Sequence, residues 1–308
     1  MQLKYARRDI LERLGVEVVH GSIEDASLLE CLFKRFAFTH VVHLAAQAGV
    51  RYSLKAPLQY VRCNVEGFVT LLEAIQRNNA ARRVDVKTVF ASSSSVYGLN
   101  KKVPFSEQDR VEKQSSLYGA TKRSNEEIAH VYNHLYRLSL TGLRFFTVYG
   151  PYGRPDMAYY SFSEAIVQGR QLTMFKNEDG SELLRDFTYV DDIVRGIVAA
   201  MDRAARLEIF NLGNEHPETV SSLIHTLESG LGRRANVTIK PISAGDVPMT
   251  FANTSHARDA LGYQATTSLR VGIARFLVWY REYHGVSGGE VDAEAVEYYR
   301  ATYTRQSD

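Results

Sequence analysis

The chain has 308 residues and carries 37 lysines and arginines against 35 aspartates and glutamates, a net charge of +2. Such a length holds one large or two small domains with ample core, and the near balance of charge gives no electrostatic case for nucleic acid or an anionic membrane as the main partner. Two cysteines, Cys31 and Cys63, make no disulfide framework, no stretch approaches the ~18 apolar residues of a membrane-crossing helix, and the opening residues are too charged for a signal peptide, so the chain as given reads as soluble.

Strand and helix patterns alternate through the first half. Val16–His20 reads as a strand, Ala26–Phe36 as a helix, Thr39–Ala45 as a strand and Leu58–Asn78 as a helix. The short β-branched run Val84–Ala91 predicts a buried strand. Ser115 and Ser116 supply N-cap chemistry for a helix through Tyr136, and Ser139–Phe145 reads as a further strand. This order predicts an α/β fold, a Rossmann-like doubly wound parallel sheet flanked by helices. Beyond it, Gly150-Pro151-Tyr152-Gly153-Arg154-Pro155 predicts a loop. A helix near Tyr160–Gln168, a strand Thr173–Phe175 and a hairpin turn at Asn177–Gly180 come next. Arg185–Asp192 reads as a strand running into a helix, Glu208–Leu212 as a strand, and Val220–Gly230 and Leu269–Tyr283 as helices. Gly285–Asp308 reads as a polar, weakly held tail.

One expected feature is missing. A dinucleotide-binding sheet opens with a strand, a Gly-x-Gly-x-x-Gly turn and a helix whose N-terminus cradles the pyrophosphate. Before Val16 only Gly15 is a glycine. The expectation is therefore a sheet truncated at its N-terminus, beginning after the first strand, the first helix and the second strand.

Chemistry concentrates between residues 92 and 122. Ser92–Gly98 is a serine run at the C-terminal end of a predicted strand, where open parallel sheets bind ligands. Tyr118 and Lys122 follow, four apart on one predicted helix and thus on one face. Either motif alone is ordinary, since such pairs occur by chance in many helices and serine runs often end strands. Their order favours a proton-transfer device. A phenol titrates near ~10, and an ammonium within ~4–6 Å lowers an acid by ~1–3 units. Tyr118 would then act as a base toward an alcohol, with Ser93 relaying the proton.

Several stretches in register carry a resemblance. They are His43-Leu44-Ala45-Ala46-Gln47-Ala48-Gly49-Val50-Arg51, Ser92–Gly98, Arg144-Phe145-Phe146-Thr147-Val148-Tyr149-Gly150, Pro155-Asp156-Met157-Ala158, Arg185–Asp192 and Gly245-Asp246-Val247-Pro248. On them the chain resembles the extended short-chain dehydrogenase/reductases, and within these the plant-type UDP-glucuronate 4-epimerases, from about Gly15 to about Tyr283. The resemblance implies tightly held NAD and a UDP-sugar substrate. It implies reversible 4-epimerisation of UDP-glucuronate to UDP-galacturonate through a 4-keto intermediate, with Tyr118, Lys122 and Ser93 catalytic. Ile23, Leu44, Ala45, Ala46, Ala48, Arg51, Asn64 and Val148 fall where relatives touch NAD, together with Tyr118 and Lys122. Ser94, Ser95 and Thr147 would surround the sugar carboxylate with Arg154 beside it, Arg185 would meet the diphosphate, Phe175 the uracil, and Asp246 lies on the substrate side.

The implied organisation is a truncated NAD-binding unit over residues 1–150, to which 185–213 returns, a substrate-binding region over 151–184 and 214–284, and a tail over 285–308. The resemblance also implies a homodimer through the helices following Asn64 and bearing Tyr118, and a Golgi anchor in an N-terminal segment of plant-type members. Decarboxylating relatives carry glutamate at Ser95 and dehydratases Asp-Glu at Ser94-Ser95; both reactions are disfavoured here. Galactose-type epimerases carry asparagine at Thr147, which leaves UDP-glucose as the second choice. Two departures stand out: Ser22 replaces an adenine-binding aspartate, and Ser243 replaces an arginine found in several relatives. The competing reading is a fragment that cannot turn over and acts only by binding intact relatives. His130 with His134, at a zinc-compatible spacing, and Asp191 with Asp192 read as surface residues and helix N-terminal acids rather than metal ligands.

Overall fold

The computed structural model describes residues 2–203, 206–242, 247–289 and 292–303. The chain begins with α1 (Gln2–Arg13) and α2 (Ala26–Arg35), then β1 (His40–His43), α3 (Val50–Lys55), α4 (Pro57–Tyr60) and α5 (Gly67–Arg82). The strand β2 (Lys87–Ser93) leads to α6 (Leu117–Tyr136), β3 (Leu140–Phe145) and β4 (Thr147–Tyr149). Then come α7 (Ala158–Val167), β5 (Gln171–Lys176), β6 (Leu184–Arg185), β7 (Phe187–Tyr189), α8 (Val190–Arg203) and β8 (Leu207–Leu212). The remainder is β9 (Glu218–Thr219), α9 (Val220–Leu231), β10 (Asn236–Pro241), β11 (Met249–Thr250), α10 (Ser255–Leu261), α11 (Leu269–His284) and α12 (Ala293–Tyr303).

The main sheet is parallel with the order β1-β2-β3-β8. Alternation along each strand serves two faces. Phe90 and Leu140 face Phe68, Leu72 and Ile75 of α5, whereas Val89 and Leu143 face Ile193 of α8 and Ala257 and Leu261 of α10. A sheet covered on both faces is the expected doubly wound arrangement. A second core gathers Tyr149, Tyr159, Phe187, Leu223, Leu227, Phe276 and Trp279 from the β4–β7 pair and α7, α9 and α11. Beside it β5 pairs with β10, and β6 with β9 and β11. No helix among the described residues is long and apolar enough to cross a membrane.

Three expectations need correction. Val16–His20 is not a strand: it runs as exposed coil, because a β-branched sequence becomes a strand only with a neighbour to complete its ladder, and β1 pairs with β2 alone. The helix expected over 58–78 is broken into α4, a π-helical turn at Val61–Glu66 and α5. The tail is not loose throughout, since α12 buries Ala295 and Tyr299.

Candidate active site

The site is built where β2 stops. Ser93 ends that strand in extended backbone, φ −159°, and its hydroxyl accepts the Ser95 N–H at 3.2 Å, which turns the chain into the single 3-10 turn Ser94–Tyr97. Ser116 caps α6 by accepting the Gly119 N–H at 3.1 Å, so Tyr118 falls in the first helical turn. Gly119 lets the helix seat against the serine turn, because a Cβ there would lie 2.6 Å from the Ser95 carbonyl oxygen. This brings the Tyr118 phenol beside the Ser93 hydroxyl. Burial pushes this phenol above its ordinary value, while the Ser93 hydroxyl and the charge of Arg154 pull it back.

Lys122 is buried one helical turn beyond Tyr118. Its buried ammonium donates to the Ala91 carbonyl at 2.7 Å, and burial lowers it to about 8 against the opposing pull of Cys63. An ammonium out of water needs an acceptor, and the end of β2 supplies one below the phenol. The cation bearing on Tyr118 is Arg154.

The segment after β1 forms the opposite wall. Leu44 is 51% exposed, Ala45 is exposed, and Ala46 and Ala48 are half-buried. Asn64 fixes this segment: its Oδ1 accepts the Gln47 N–H at 2.7 Å, and its Nδ2 donates to the Gln47 carbonyl at 2.9 Å and to Thr121 Oγ1 at 3.0 Å. Its own backbone carbonyl accepts Asn125 Nδ2 at 2.7 Å, within the π-helical turn. Asn64, expected at the cofactor, thus also ties the segment after β1 to α6. Ile23 packs with the α5 side of the core, close over Gly67.

Arg154 projects from the loop after β4. Its Nε and Nη2 reach Asp156 Oδ1 and Oδ2 at 3.0 and 2.5 Å, and Nη2 also donates to the Ala48 carbonyl at 3.3 Å. Gly49, at φ 108°, admits the guanidinium, since a Cβ would sit 3.2 Å from Nη2. Thr147 opens β4 and donates its N–H to the Asp186 carbonyl at 3.0 Å, and Val148 pairs with Thr188. The guanidinium of Arg51 lies 4.7 Å from the ring centroid of Phe175, so the wall after β1 meets β5. Arg185 Nη1 donates to the Leu184 and Pro248 carbonyls at 2.9 and 3.2 Å. Asp246 and Ser243 lie outside the described residues.

Four residues were given no role from the sequence. Buried Tyr60 donates to the Ala48 and Gly49 carbonyls and packs edge-on to Tyr118 at 6.2 Å; nothing in its sequence surroundings marks it. Glu126 and Arg144 form a buried ion pair beneath the serines. Asp156 was quoted in a motif without a role. His130 and His134 are exposed, and no group of three or more His, Cys, Asp or Glu among the described residues is arranged to hold a metal.

Comparison with known proteins agrees with this geometry. UDP-glucuronate 4-epimerase 4 of Arabidopsis thaliana is 51% identical over 296 residues, which cover 92% of this chain and 67% of that protein. Among solved structures, UDP-glucuronic acid 4-epimerase from Bacillus cereus, in complex with UDP-glucuronic acid and NAD, is 31% identical with a TM-score of 0.81, covering 92% of this chain and 87% of that one. UDP-glucose 4-epimerase from Thermotoga maritima, with UDP-glucose, is 31% identical with a TM-score of 0.80, covering 87% of this chain and 85% of that one. Residues 3–213 match one family throughout, and because that span exceeds half of the sequence, the chain belongs to the NAD dependent epimerase/dehydratase family.

Proposed function

We infer that the chain serves the reversible 4-epimerisation of UDP-glucuronate to UDP-galacturonate with NAD as cofactor. The observation that carries this reading is the meeting of Tyr118 and Ser93 at the end of β2, with Arg154 as a cation bearing on the phenol. The relatives that bear this activity by name support the substrate.

The nicotinamide end of the cofactor fits the residues present. Among the described residues the buried Lys122 ammonium gives one of its three N–H donors to Ala91, which leaves donors for a ribose diol beside exposed Leu44 and Ala45. Among the described residues β1 has a free outer edge, and Val16–His20 pairs with no strand. The chemistry that bound NAD supplies is acceptance of hydride from C4 of the sugar and its return to the other face of the 4-keto sugar.

The protein's part is proton movement and orientation. Tyr118 takes the proton of the 4-hydroxyl and gives it back, and Ser93 holds the same oxygen in line. The turn Ser94–Ser95, Thr147 and Arg154 receive the carboxylate, which needs charged or multiple donors once desolvated. Phe175 stacks the uracil and Arg185 meets the diphosphate. Exposed Leu58 and Val61 before α5 and exposed Val131 and Leu135 on α6 support a homodimer through these helices.

The test is turnover. The chain is incubated with NAD and UDP-glucuronate and the products are separated by chromatography; UDP-galacturonate is expected. Tyr118→Phe should remove it, a loss of at least about 100-fold, with the fold intact by circular dichroism. Full turnover by the variant refutes the assignment of the base.

A further inference from the structure

We propose that Asp156 is a stand-in for the substrate's carboxylate, holding Arg154 in the ligand-free chain and yielding it to a uronate, so that this aspartate competes with acidic sugars alone and tempers the preference for them over neutral sugars. The proposal rests on the nucleotide-sugar reading above.

The Arg154–Asp156 contact is bidentate, with Nε and Nη2 each meeting one carboxylate oxygen at 3.0 and 2.5 Å. This is the geometry in which a guanidinium receives any carboxylate. Both partners lie in the loop after β4, two residues apart across Pro155, and their side chains are 39% and 64% exposed. A pair so open to water is weak and readily exchanged.

What surrounds the pair gives the exchange its consequence. The groups bearing on Arg154 are Asp156, Tyr118 and Tyr60, and its further hydrogen-bond acceptor is the Ala48 carbonyl on the wall after β1. Among these three groups Asp156 is the one that brings a formal negative charge to Arg154. A neutral hexose offers nothing to exchange for Asp156. A uronate brings a carboxylate of the same shape and charge, takes the fork, and leaves Asp156 to water, where its exposed position makes release inexpensive.

Asp156 thus acts through Arg154 and is a positioning residue. Removing its charge should free the guanidinium for an anion and do nothing for a neutral sugar.

The experiment is calorimetric binding of UDP-glucuronate, UDP-glucose and UDP to the wild-type chain, Asp156→Asn, Arg154→Gln and the double variant. Asp156→Asn is expected to tighten UDP-glucuronate about threefold to tenfold, less than about 1.4 kcal/mol, and to shift UDP-glucose and UDP by less than about twofold. The gain should shrink in salt and vanish in the Arg154→Gln background, which a purely structural role of Asp156 would not produce. Asp156→Ala should repeat the pattern. Equal shifts for both sugars, a gain that survives loss of Arg154, or weaker UDP-glucuronate binding would overturn the proposal while leaving the nucleotide-sugar reading in place. Failure of the wild-type chain to bind even UDP would remove that reading, and the proposal with it.

Discussion

Glu126 accepts two hydrogen bonds from Arg144, through Nε and Nη2 and both at 2.8 Å, with both side chains out of water. The same carboxylate accepts from Ser92 at 2.6 Å and from Arg123 at 2.9 Å. Burial by itself would raise Glu126, and these partners more than offset it, holding the carboxyl below its ordinary value. The pair ties α6 to β2 and β3 one residue before Ser93, so it sets where the serine meets Tyr118. Glu126→Ala strands a buried guanidinium and should cost about 3–5 kcal/mol, read from chemical denaturation. Glu126→Leu with Arg144→Met removes both charges and should cost much less. A single variant within about 1 kcal/mol of wild type would contradict this account.

The stretch from Val84 to Phe145 was legible because local pattern and tertiary role coincide there. Its β-branched run is buried on both faces, and Ser116 caps the helix where the sequence predicts it. Val16–His20 was misread for a physical reason: composition measures the tendency to form a strand, while a strand exists only in its partner. The π-helical turn at Val61–Glu66 has no periodicity of its own; a side chain from α6, Asn125, takes the Asn64 carbonyl. Of the site, the meeting of Tyr118 with Ser93 was legible, whereas the Ala91 acceptor of Lys122 and the bearing of Arg154 on Tyr118 were not. The destination of the Lys122 ammonium depends on the Ala91 carbonyl, and the charge facing Tyr118 depends on a loop 36 positions further along the chain, at Arg154.

Asn64 is expected to act as a clamp. Asn64→Leu keeps the volume and leaves the Gln47 N–H and carbonyl without their partner, at about 1–3 kcal/mol for each buried group left unmatched. Hydrogen exchange at the Gln47 amide reports this directly: protection should fall in the variant while the amides of β3 keep theirs. Unchanged protection would mean that the wall after β1 is held by something else.

Acid should destabilise the fold through His43. The ring is buried and stacked on Phe68 at 5.5 Å, and burial, with a smaller push from Lys122, lowers it from 6.5 to about 4. Between those values the unfolded chain binds the proton and the folded chain does not. Stability attributable to this group is thus intact above pH 6.5 and lost as the pH falls toward about 4, by at most about 3 kcal/mol. His43→Phe should flatten that part of the stability profile. A profile of unchanged slope would show that His43 is not held neutral.

The last helix is anchored by hydroxyl groups as well as by the burial of Ala295 and Tyr299. Tyr298 and Tyr303 donate to the two oxygens of Asp191 at 2.5 and 2.6 Å, and the Arg275 guanidinium lies 3.4 Å from the Tyr298 ring centroid. Asp191 stands in the first turn of α8, where the helix dipole favours its charge. Docking of α12 therefore converges on one carboxylate. Tyr298→Phe and Tyr303→Phe should each cost about 1 kcal/mol, and Asp191→Ala more than either, because both phenols then lose their acceptor. Limited proteolysis separates this from global destabilisation. Cleavage between Gly285 and Asp292 should accelerate in Asp191→Ala while the main sheet stays resistant, and equal acceleration at all sites would mean that Asp191 supports the whole fold instead of the last helix.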